Sequence, residues 1–325
     1  MKKAFLFPGQ GAQAIGMGAD IYHAFATAKQ IYDRANEILG FEINKLCFEG
    51  PAEELNSTAV SQPAIFTTSV AFLEVLRTES STDAIQPDIT AGLSLGEYTA
   101  LYAAGVFSFE EGLGLVQKRG QAMQEAADAN GGEMVSIIGL DEEKVRLLCE
   151  EVLEGNAENE ESDEPGEIPL LEPVNFNCPG QIVLSGTKAA CKRAKDLAIK
   201  HGAIKAVRLD VAGAFHTSMM SSAAEALKDA LSKCTIENPS NPKTIANINA
   251  QYYRSAKEIS EGLVKQLTSP ILWQKCMERL LDEGVEQFYE IGPGRVLTGL
   301  MKRISRKTPV FNISTAQAVQ EFLRR

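Results

Sequence analysis

The chain has 325 residues, of which 44% are hydrophobic and 23% charged, and its formal net charge at pH 7 is −11. These fractions are ordinary for a globular protein, and they exclude a disordered chain, a collagen-like repeat and a disulfide-stapled miniprotein. The six cysteines include no C-x-x-C pair, which disfavours a zinc knuckle or a disulfide framework and favours a reducing cytoplasm.

The first predicted element is a buried strand at 4–7, where four apolar residues precede Pro8. A signal peptide needs a longer apolar run, of about 7 to 15 residues. No stretch of the sequence approaches the roughly 18 apolar residues of a membrane span. We therefore expect a protein that does not associate with membranes and is cytoplasmic, the alternative being a plastid or mitochondrial matrix after removal of a transit peptide.

Alternating strands and helices fill the rest of the first half. Apolar residues at helical spacing predict a helix over 21–39, and a short apolar run predicts a strand at 89–91. Two helical segments, at 97–104 and 109–128, follow a glycine-rich turn. Such alternation is typical of a parallel sheet covered by helices.

The middle of the chain has a different order, βαββαβ, which is that of a ferredoxin-like unit. Alternation of helix and strand then resumes, with strands expected near 244–248, 286–291 and 309–313. We predict an α/β protein in which a small ferredoxin-like domain, 131–209, is inserted into a large domain with a hydrolase-like parallel sheet, 1–130 and 210–325. The predicted elements of the small domain are a strand at 134–138, a helix at 141–154, strands at 172–178 and 181–185, a helix at 187–202 and a strand at 204–209.

Charge is unevenly distributed. Ten acidic residues and no Lys or Arg lie in 150–172, which predicts an acidic, solvated loop near 155–172 in preference to a partner-binding segment. Seven basic residues and one acidic residue lie in 188–208, and a second basic cluster consists of Lys302, Arg303, Arg306 and Lys307. A nucleic-acid-binding domain would be basic overall, so these clusters indicate a small acidic protein partner and no nucleic acid.

A candidate nucleophile lies between the strand at 89–91 and the helix at 97–104. The motif Gly92-Leu93-Ser94-Leu95-Gly96 fits a nucleophile elbow, in which flanking glycines let the backbone close while the serine projects at the helix N-terminus. Free N–H groups at that end favour the oxyanion that forms when a serine attacks a carbonyl. The alternative is a glycine-rich turn with an idle serine, and the strand and helix on either side favour the elbow.

The sequence offers three histidines as a base for that serine: His23, His201 and His216. His23 falls inside a predicted helix, and His201 precedes a glycine at a helix end, where capping is the expected role. His216 follows small residues after a predicted strand, so it is expected on a loop and is the candidate base. Asp210 is too near in sequence to orient it, which leaves a backbone carbonyl or a side-chain amide for that task.

Two further features could contact a substrate. The glycine-rich bend at 7–11 could present a backbone N–H as half of an oxyanion hole, or be an ordinary β-to-α turn. Arg119 lies in a predicted helix whose other face is apolar, where a surface position is the default. Only a fixed carboxylate partner would give it a further role.

Seven segments, in order, resemble the motifs of malonyl-CoA:acyl carrier protein transacylases, and together they cover nearly the whole chain. The resemblance implies a malonyltransferase with a hydrolase-like domain and a ferredoxin-like insert. The segments are Phe7-Pro8-Gly9-Gln10-Gly11-Ala12-Gln13, Gly92-Leu93-Ser94-Leu95-Gly96-Glu97-Tyr98, 117–122, Asn177-Cys178-Pro179-Gly180-Gln181, Gly213-Ala214-Phe215-His216, 266–273 and Glu290-Ile291-Gly292-Pro293-Gly294.

The resemblance implies a role for each catalytic position. Ser94 matches the nucleophile and His216 the base. Gln266 matches the residue whose main-chain carbonyl holds the other histidine nitrogen. The N–H groups of Gln10 and Leu95 match the two oxyanion donors.

The resemblance also implies how the acyl group is chosen. Arg119 matches the arginine that pairs with the malonyl carboxylate, Phe215 the phenylalanine of malonyl-selective members, and Asn177 is expected to contact the substrate, as is Gln10. The family usually has histidine where this chain has Leu93, so any polar contribution from that side chain is absent, and we expect activity to survive.

The reaction implied moves malonyl from coenzyme A to the phosphopantetheine thiol of acyl carrier protein through a malonyl-serine, without a metal or redox cofactor. Carrier protein is expected to dock on the two basic clusters. Two rival interpretations are a serine hydrolase such as a thioesterase, which gives the acyl group to water, and a non-catalytic carrier-protein scaffold.

Overall fold

Two sheets organise the chain in a computed structural model that describes residues 1–80, 86–156 and 168–324. Within these ranges one sheet is parallel with five strands, and the other is antiparallel with four. The predicted fold class is confirmed. The two domain ranges stay a prediction, and most of the acidic loop expected near 155–172 lies outside the described residues.

The parallel sheet has the spatial order β7-β2-β1-β8-β9, so the first strand lies at its centre. Residues 4–7 of that strand are fully buried, which explains the continuous apolar run, since helices cover both faces of such a sheet. The five strands are β1 (Lys2–Phe7), β2 (Ile89–Gly92), β7 (Lys243–Thr244), β8 (Val285–Ile291) and β9 (Val310–Ile313).

Helices cover this sheet. The predicted helix over 21–39 is interrupted at Phe25, whose extended backbone (φ −132°, ψ 125°) separates two helices. The helices are α1 (Ala19–Ala24), α2 (Ala26–Leu39), α3 (Ile43–Glu49), α4 (Ala52–Asn56), α5 (Thr58–Glu79), α6 (Gly96–Ala103), α7 (Phe109–Asn130), α10 (Ser221–Leu231), α11 (Ala256–Gln266), α12 (Trp273–Asp282), α13 (Val296–Ile304) and α14 (Ala316–Leu323).

The strand predicted at 244–248 is shorter than expected, because β7 ends at Thr244. Asn247 then turns toward the end of β2: its side-chain amide donates to the Gly92 carbonyl, and its backbone N–H donates to Glu97. These bonds replace the ladder that a longer strand would have formed.

Helix α5 was not predicted, because it is buried on all sides and has little amphipathic periodicity. Among the described residues it is the one helix long and apolar enough to cross a membrane, with mean hydropathy 1.3 over the qualifying window. The expectation that no stretch approaches a membrane span is therefore wrong as far as length and composition are concerned. Since 83% of that window is buried inside the protein, α5 packs as a core helix.

The antiparallel sheet has the ferredoxin-like order β4-β5-β3-β6, as predicted. The helix expected to reach residue 202 ends at Ala198. Backbone hydrogen bonds between Phe176 and Ile271 (3.0 Å) and between Ile271 and Val174 (2.7 Å) tie this sheet to the chain just before α12. The elements are β3 (Glu133–Ile138), α8 (Glu142–Asn156), β4 (Leu171–Cys178), β5 (Gln181–Gly186), α9 (Lys188–Ala198) and β6 (Lys205–Arg208).

Candidate active site

A cavity of about 460 Å³ lies where residues from the two sheets meet, beside the carboxyl ends of β1 and β2. In open α/β sheets this end is where ligands bind. Six of the eight predicted site residues line the cavity: Gln10, Ser94, Arg119, Asn177, Phe215 and His216. The other two, Leu95 and Gln266, are fully buried directly behind it.

Ser94 occupies a strained turn between β2 and α6, with φ of 50°. A side chain at Gly92 would collide with the backbone of Gly96, and one at Gly96 would collide with the Phe7 carbonyl. Glycine is therefore required on both sides of the serine. This is the geometry of a nucleophile elbow.

His216 is brought next to the serine although 122 residues separate them: its Nε2 lies 3.0 Å from Ser94 Oγ. Its Nδ1 lies 2.8 Å from the main-chain carbonyl of Gln266, the last residue of α11. Since a carbonyl only accepts, Nδ1 carries the proton and Nε2 is free to accept one from the serine. Asp210 lines the cavity but is not bonded to His216, as its short sequence separation predicted.

Burial sets the protonation state of this histidine. Desolvation, reinforced by the positive charge of Arg119, lowers the pKa of His216 to about 4. The imidazole is therefore neutral at neutral pH. A neutral imidazole that is oriented at Nδ1 can act as a general base at Nε2.

Two backbone N–H groups are available beside the serine. Gln10, in the turn after β1, lines the cavity, and Leu95 directly follows the nucleophile. Neither N–H has a hydrogen-bond partner among the described residues. Unpaired N–H groups at such a position can stabilise a developing oxyanion.

Arg119 is buried, with 1% of its surface exposed, so the surface position expected from its helix alone is wrong. Its guanidinium donates to Gln62 Oε1 at 2.8 Å, to Gln266 Oε1 at 3.0 Å and to Ser94 Oγ at 3.0 Å. All three acceptors are neutral. None of the ion pairs within the described ranges involves this arginine, so its buried guanidinium lies beside the nucleophile with no carboxylate at ion-pair distance.

The remaining predicted residues form the cavity wall. Phe215 lies next to the histidine and is 5% exposed. Asn177 reaches the cavity from β4, and its Oδ1, like that of Asn175, is buried without a partner among the described residues. Leu93 also lines the cavity.

Sequence reasoning missed three buried polar residues that support the site. Gln62 lies on the unpredicted helix α5, and Asn247 lies on the loop after β7, where its Oδ1 accepts the Ser94 N–H at 2.7 Å. Glu97 follows the elbow and is 1% exposed. Burial raises the pKa of Glu97 to about 7, against the opposing effect of its hydrogen bonds. The one sequence signal that could have indicated a role for Glu97 is its position, three residues after Ser94.

The acyl transferase domain family matches residues 4–322, and this match includes every residue of the site. The chain belongs to the acyl transferase family. This match, together with the relatives that follow, confirms the resemblance carried by the seven motifs.

Relatives of this acyltransferase are similar over nearly their whole length. It is 43% identical to the malonyl CoA-acyl carrier protein transacylase of Bacillus subtilis, over 98% of this chain and 95% of that protein. The transacylase of the same name from Escherichia coli K12 is 40% identical, over 93% of this chain and 92% of that protein.

Solved structures agree with the fold of this acyltransferase. The malonyl CoA-acyl carrier protein transacylase of Coxiella burnetii superimposes with a TM-score of 0.91 at 33% identity, covering 100% of this chain and 98% of the other. A malonyl-transacylase in complex with its type II PKS acyl-carrier protein has a TM-score of 0.91 at 38% identity, covering 100% of this chain and 99% of the other.

Proposed function

We propose that this protein transfers the malonyl group from malonyl-CoA to the phosphopantetheine thiol of acyl carrier protein, supplying fatty acid synthesis. The observation that carries the proposal is the buried guanidinium of Arg119, 3.0 Å from the nucleophile and bonded only to neutral acceptors. Malonyl differs from acetyl by a terminal carboxylate, which a guanidinium binds with two parallel charge-assisted hydrogen bonds. The names of the relatives, malonyl CoA-acyl carrier protein transacylases, support the same substrate pair.

The first half of the cycle makes a malonyl-serine. Ser94 Oγ attacks the thioester carbonyl while its proton passes to His216 Nε2. The N–H groups of Gln10 and Leu95 hold the tetrahedral oxyanion. The oxyanion then collapses, the carbon–sulfur bond breaks, and coenzyme A leaves as a thiol with the proton from the histidine.

The second half reverses these steps with a different thiol. The phosphopantetheine thiol gives its proton to His216, and its sulfur attacks the ester carbonyl. Ser94 leaves and regains the proton. The buried Oδ1 atoms of Asn175 and Asn177, which have no partner in the described part of the chain, suit the amide N–H groups of a pantetheine arm, which coenzyme A and carrier protein share.

Serine, histidine and two N–H donors supply each of these steps, so the proposed cycle uses no metal or redox cofactor. We place the reaction in the cytoplasm. The six cysteines, all unpaired, support a reducing compartment.

The proposed transfer is separated from hydrolysis by following labelled malonyl. Malonyl-CoA is incubated with the enzyme and phosphopantetheinylated carrier protein, and both malonyl-carrier protein and free malonate are quantified. We expect label to appear on carrier protein faster than as malonate, and apo carrier protein, without the thiol, to remain unlabelled. Faster release of malonate would contradict the transferase and favour a thioesterase.

Carrier protein is proposed to dock through the basic clusters. Val296 and Leu300 of α13 line the cavity, and the exposed Lys302 lies in the last turn of the same helix, followed by Arg306. Arg303 has a second role, because it donates to carbonyls of the turn between β4 and β5, at 3.1 and 3.3 Å. On the small sheet, another pocket is lined by Lys188, Lys192, Lys195 and Arg208 of the cluster at 188–208, and by Glu133, which pairs with Arg208 at 2.7 Å.

Reversing two charges in the C-terminal cluster tests this surface while Arg303 stays intact. We expect the double variant Lys302→Glu/Arg306→Glu to raise the apparent KM for carrier protein by about tenfold at low salt, with the difference shrinking as salt screens it. The KM for malonyl-CoA should hardly change. Lys228→Glu/Lys233→Glu, with Lys228 on α10 and Lys233 in the turn just after it, lies outside both clusters and is the control. An unchanged KM for carrier protein would leave 188–208 as the docking surface.

A further inference from the structure

Glu97 is the centre of a buried polar network behind the nucleophile. Its Oε2 accepts the Asn247 backbone N–H at 3.0 Å and the Gln266 Nε2 at 2.9 Å. Its Oε1 accepts the Tyr253 hydroxyl. A buried carboxylate persists only when such donors satisfy it, and the reaction cycle above does not use this one.

One branch of the network leads to the nucleophile. Asn247 is held at its backbone N–H by Glu97, its Oδ1 accepts the Ser94 N–H at 2.7 Å, and its Nδ2 donates to the Gly92 carbonyl at 2.8 Å. These two bonds span the elbow in which Ser94 is held at positive φ. Strained backbone of this kind persists only where its surroundings over-determine it.

The other branch leads to the base and to the arginine. The Gln266 side chain donates from Nε2 to Glu97 and to the Ser94 carbonyl (3.2 Å), and it accepts from Arg119 at Oε1. Glu97 and the Ser94 carbonyl accept hydrogen bonds, whereas Arg119 donates one. Only one orientation of the Gln266 amide therefore satisfies all three neighbours. The main-chain carbonyl of the same glutamine orients His216.

We propose, on the basis of the proposed transferase function, that Glu97 is a positioning residue for acyl transfer. Through Asn247 it holds the nucleophile's backbone, and through Gln266 it holds the carbonyl that orients the histidine. Glu97 contacts neither substrate nor reacting atoms. Its removal should therefore lower kcat and leave the KM for malonyl-CoA nearly unchanged.

Two substitutions separate positioning from charge. Glu97→Ala should lower kcat by about 100-fold, as expected when reacting groups shift by about 1 Å. Glu97→Gln should stay within about threefold of wild type, because its carbonyl can accept both N–H groups while its amide faces the Tyr253 oxygen, which can accept in turn. If both variants are equally slow, or Glu97→Ala is as fast as wild type, the proposal is wrong.

A second readout does not depend on the identity of the acyl group. A small alkyl fluorophosphonate labels a serine at a rate set by the serine–histidine geometry, so we expect its labelling of Ser94 to slow about 100-fold in Glu97→Ala and to recover in Glu97→Gln. If the fluorophosphonate labels wild-type enzyme but the enzyme transfers no malonyl, the proposed function is wrong. The labelling test of Glu97 would still apply.

The control for lost stability is another buried carboxylate. Glu290 is fully buried and accepts the N–H groups of Leu297 and Thr298 and the Thr298 hydroxyl. We expect Glu290→Ala to lower the melting temperature about as much as Glu97→Ala does. Ser94 of this variant should be labelled at the wild-type rate. If Glu97→Ala does not fold, Asn247→Ala replaces it: slow labelling is expected, and wild-type labelling would overturn the proposal.

Discussion

Replacing Ser94 by alanine is expected to abolish malonyl transfer, with a loss of about 10⁴-fold or more, the magnitude typical of serine nucleophiles held by a histidine. The reason is geometric, since Ser94 Oγ lies 3.0 Å from Nε2 of His216, the one histidine that lines the cavity among the described residues. Intact-mass spectrometry after incubation with malonyl-CoA should detect a malonyl adduct on wild type and none on the variant.

Ser185→Ala provides the matched control. Ser185 is fully buried, its hydroxyl has no partner within the described ranges, and it lies on β5 of the small sheet, away from the cavity. This variant should form the adduct like wild type. An adduct on Ser94→Ala would assign the nucleophile to another residue.

Replacing Arg119 by alanine should invert the preference between acyl groups. In wild type we expect acetyl-CoA to be poorer than malonyl-CoA by about 10⁴-fold in kcat/KM, because acetyl leaves the buried guanidinium without its carboxylate. In Arg119→Ala, malonyl transfer should collapse while acetyl transfer holds or rises. Assays with both thioesters side by side measure this directly.

The acetyl assay also controls for damage to the site, because Arg119 donates to Ser94 and Gln266 as well. If both substrates lose activity equally, Arg119 supports the elbow and does not select the acyl group. Lys118→Ala, which removes the exposed basic neighbour on the same helix, should leave both rates unchanged.

The local sequence was enough to predict three features: the apolar run of β1, the Gly-x-Ser-x-Gly turn and the βαββαβ order. Each of them depends on residues that are neighbours in the sequence. The turn, for example, requires glycine wherever a side chain would collide with the backbone. Ser94 and His216 could be chosen from the residues alone, by motif and by elimination. For Gln10, the glycine-rich bend at 7–11 indicated an oxyanion N–H, and the family resemblance identified the residue. The roles of Gln266 and Arg119 came from the resemblance alone, since nothing in their local sequence indicates them.

Tertiary structure alone decided the contacts that turn these residues into a site. Arg119 looks like a surface residue on its helix. Only the packing of α5 against α7, and the position of Gln266 at the end of α11, bury it beside Gln62 and Gln266. Helix α5 gave little periodic signal, because a helix buried on all sides has no polar face to mark its period. Glu97 and Asn247 are 150 residues apart, and a hydrogen bond over such a separation depends on how the loop after β7 folds back on β2, which no local pattern records.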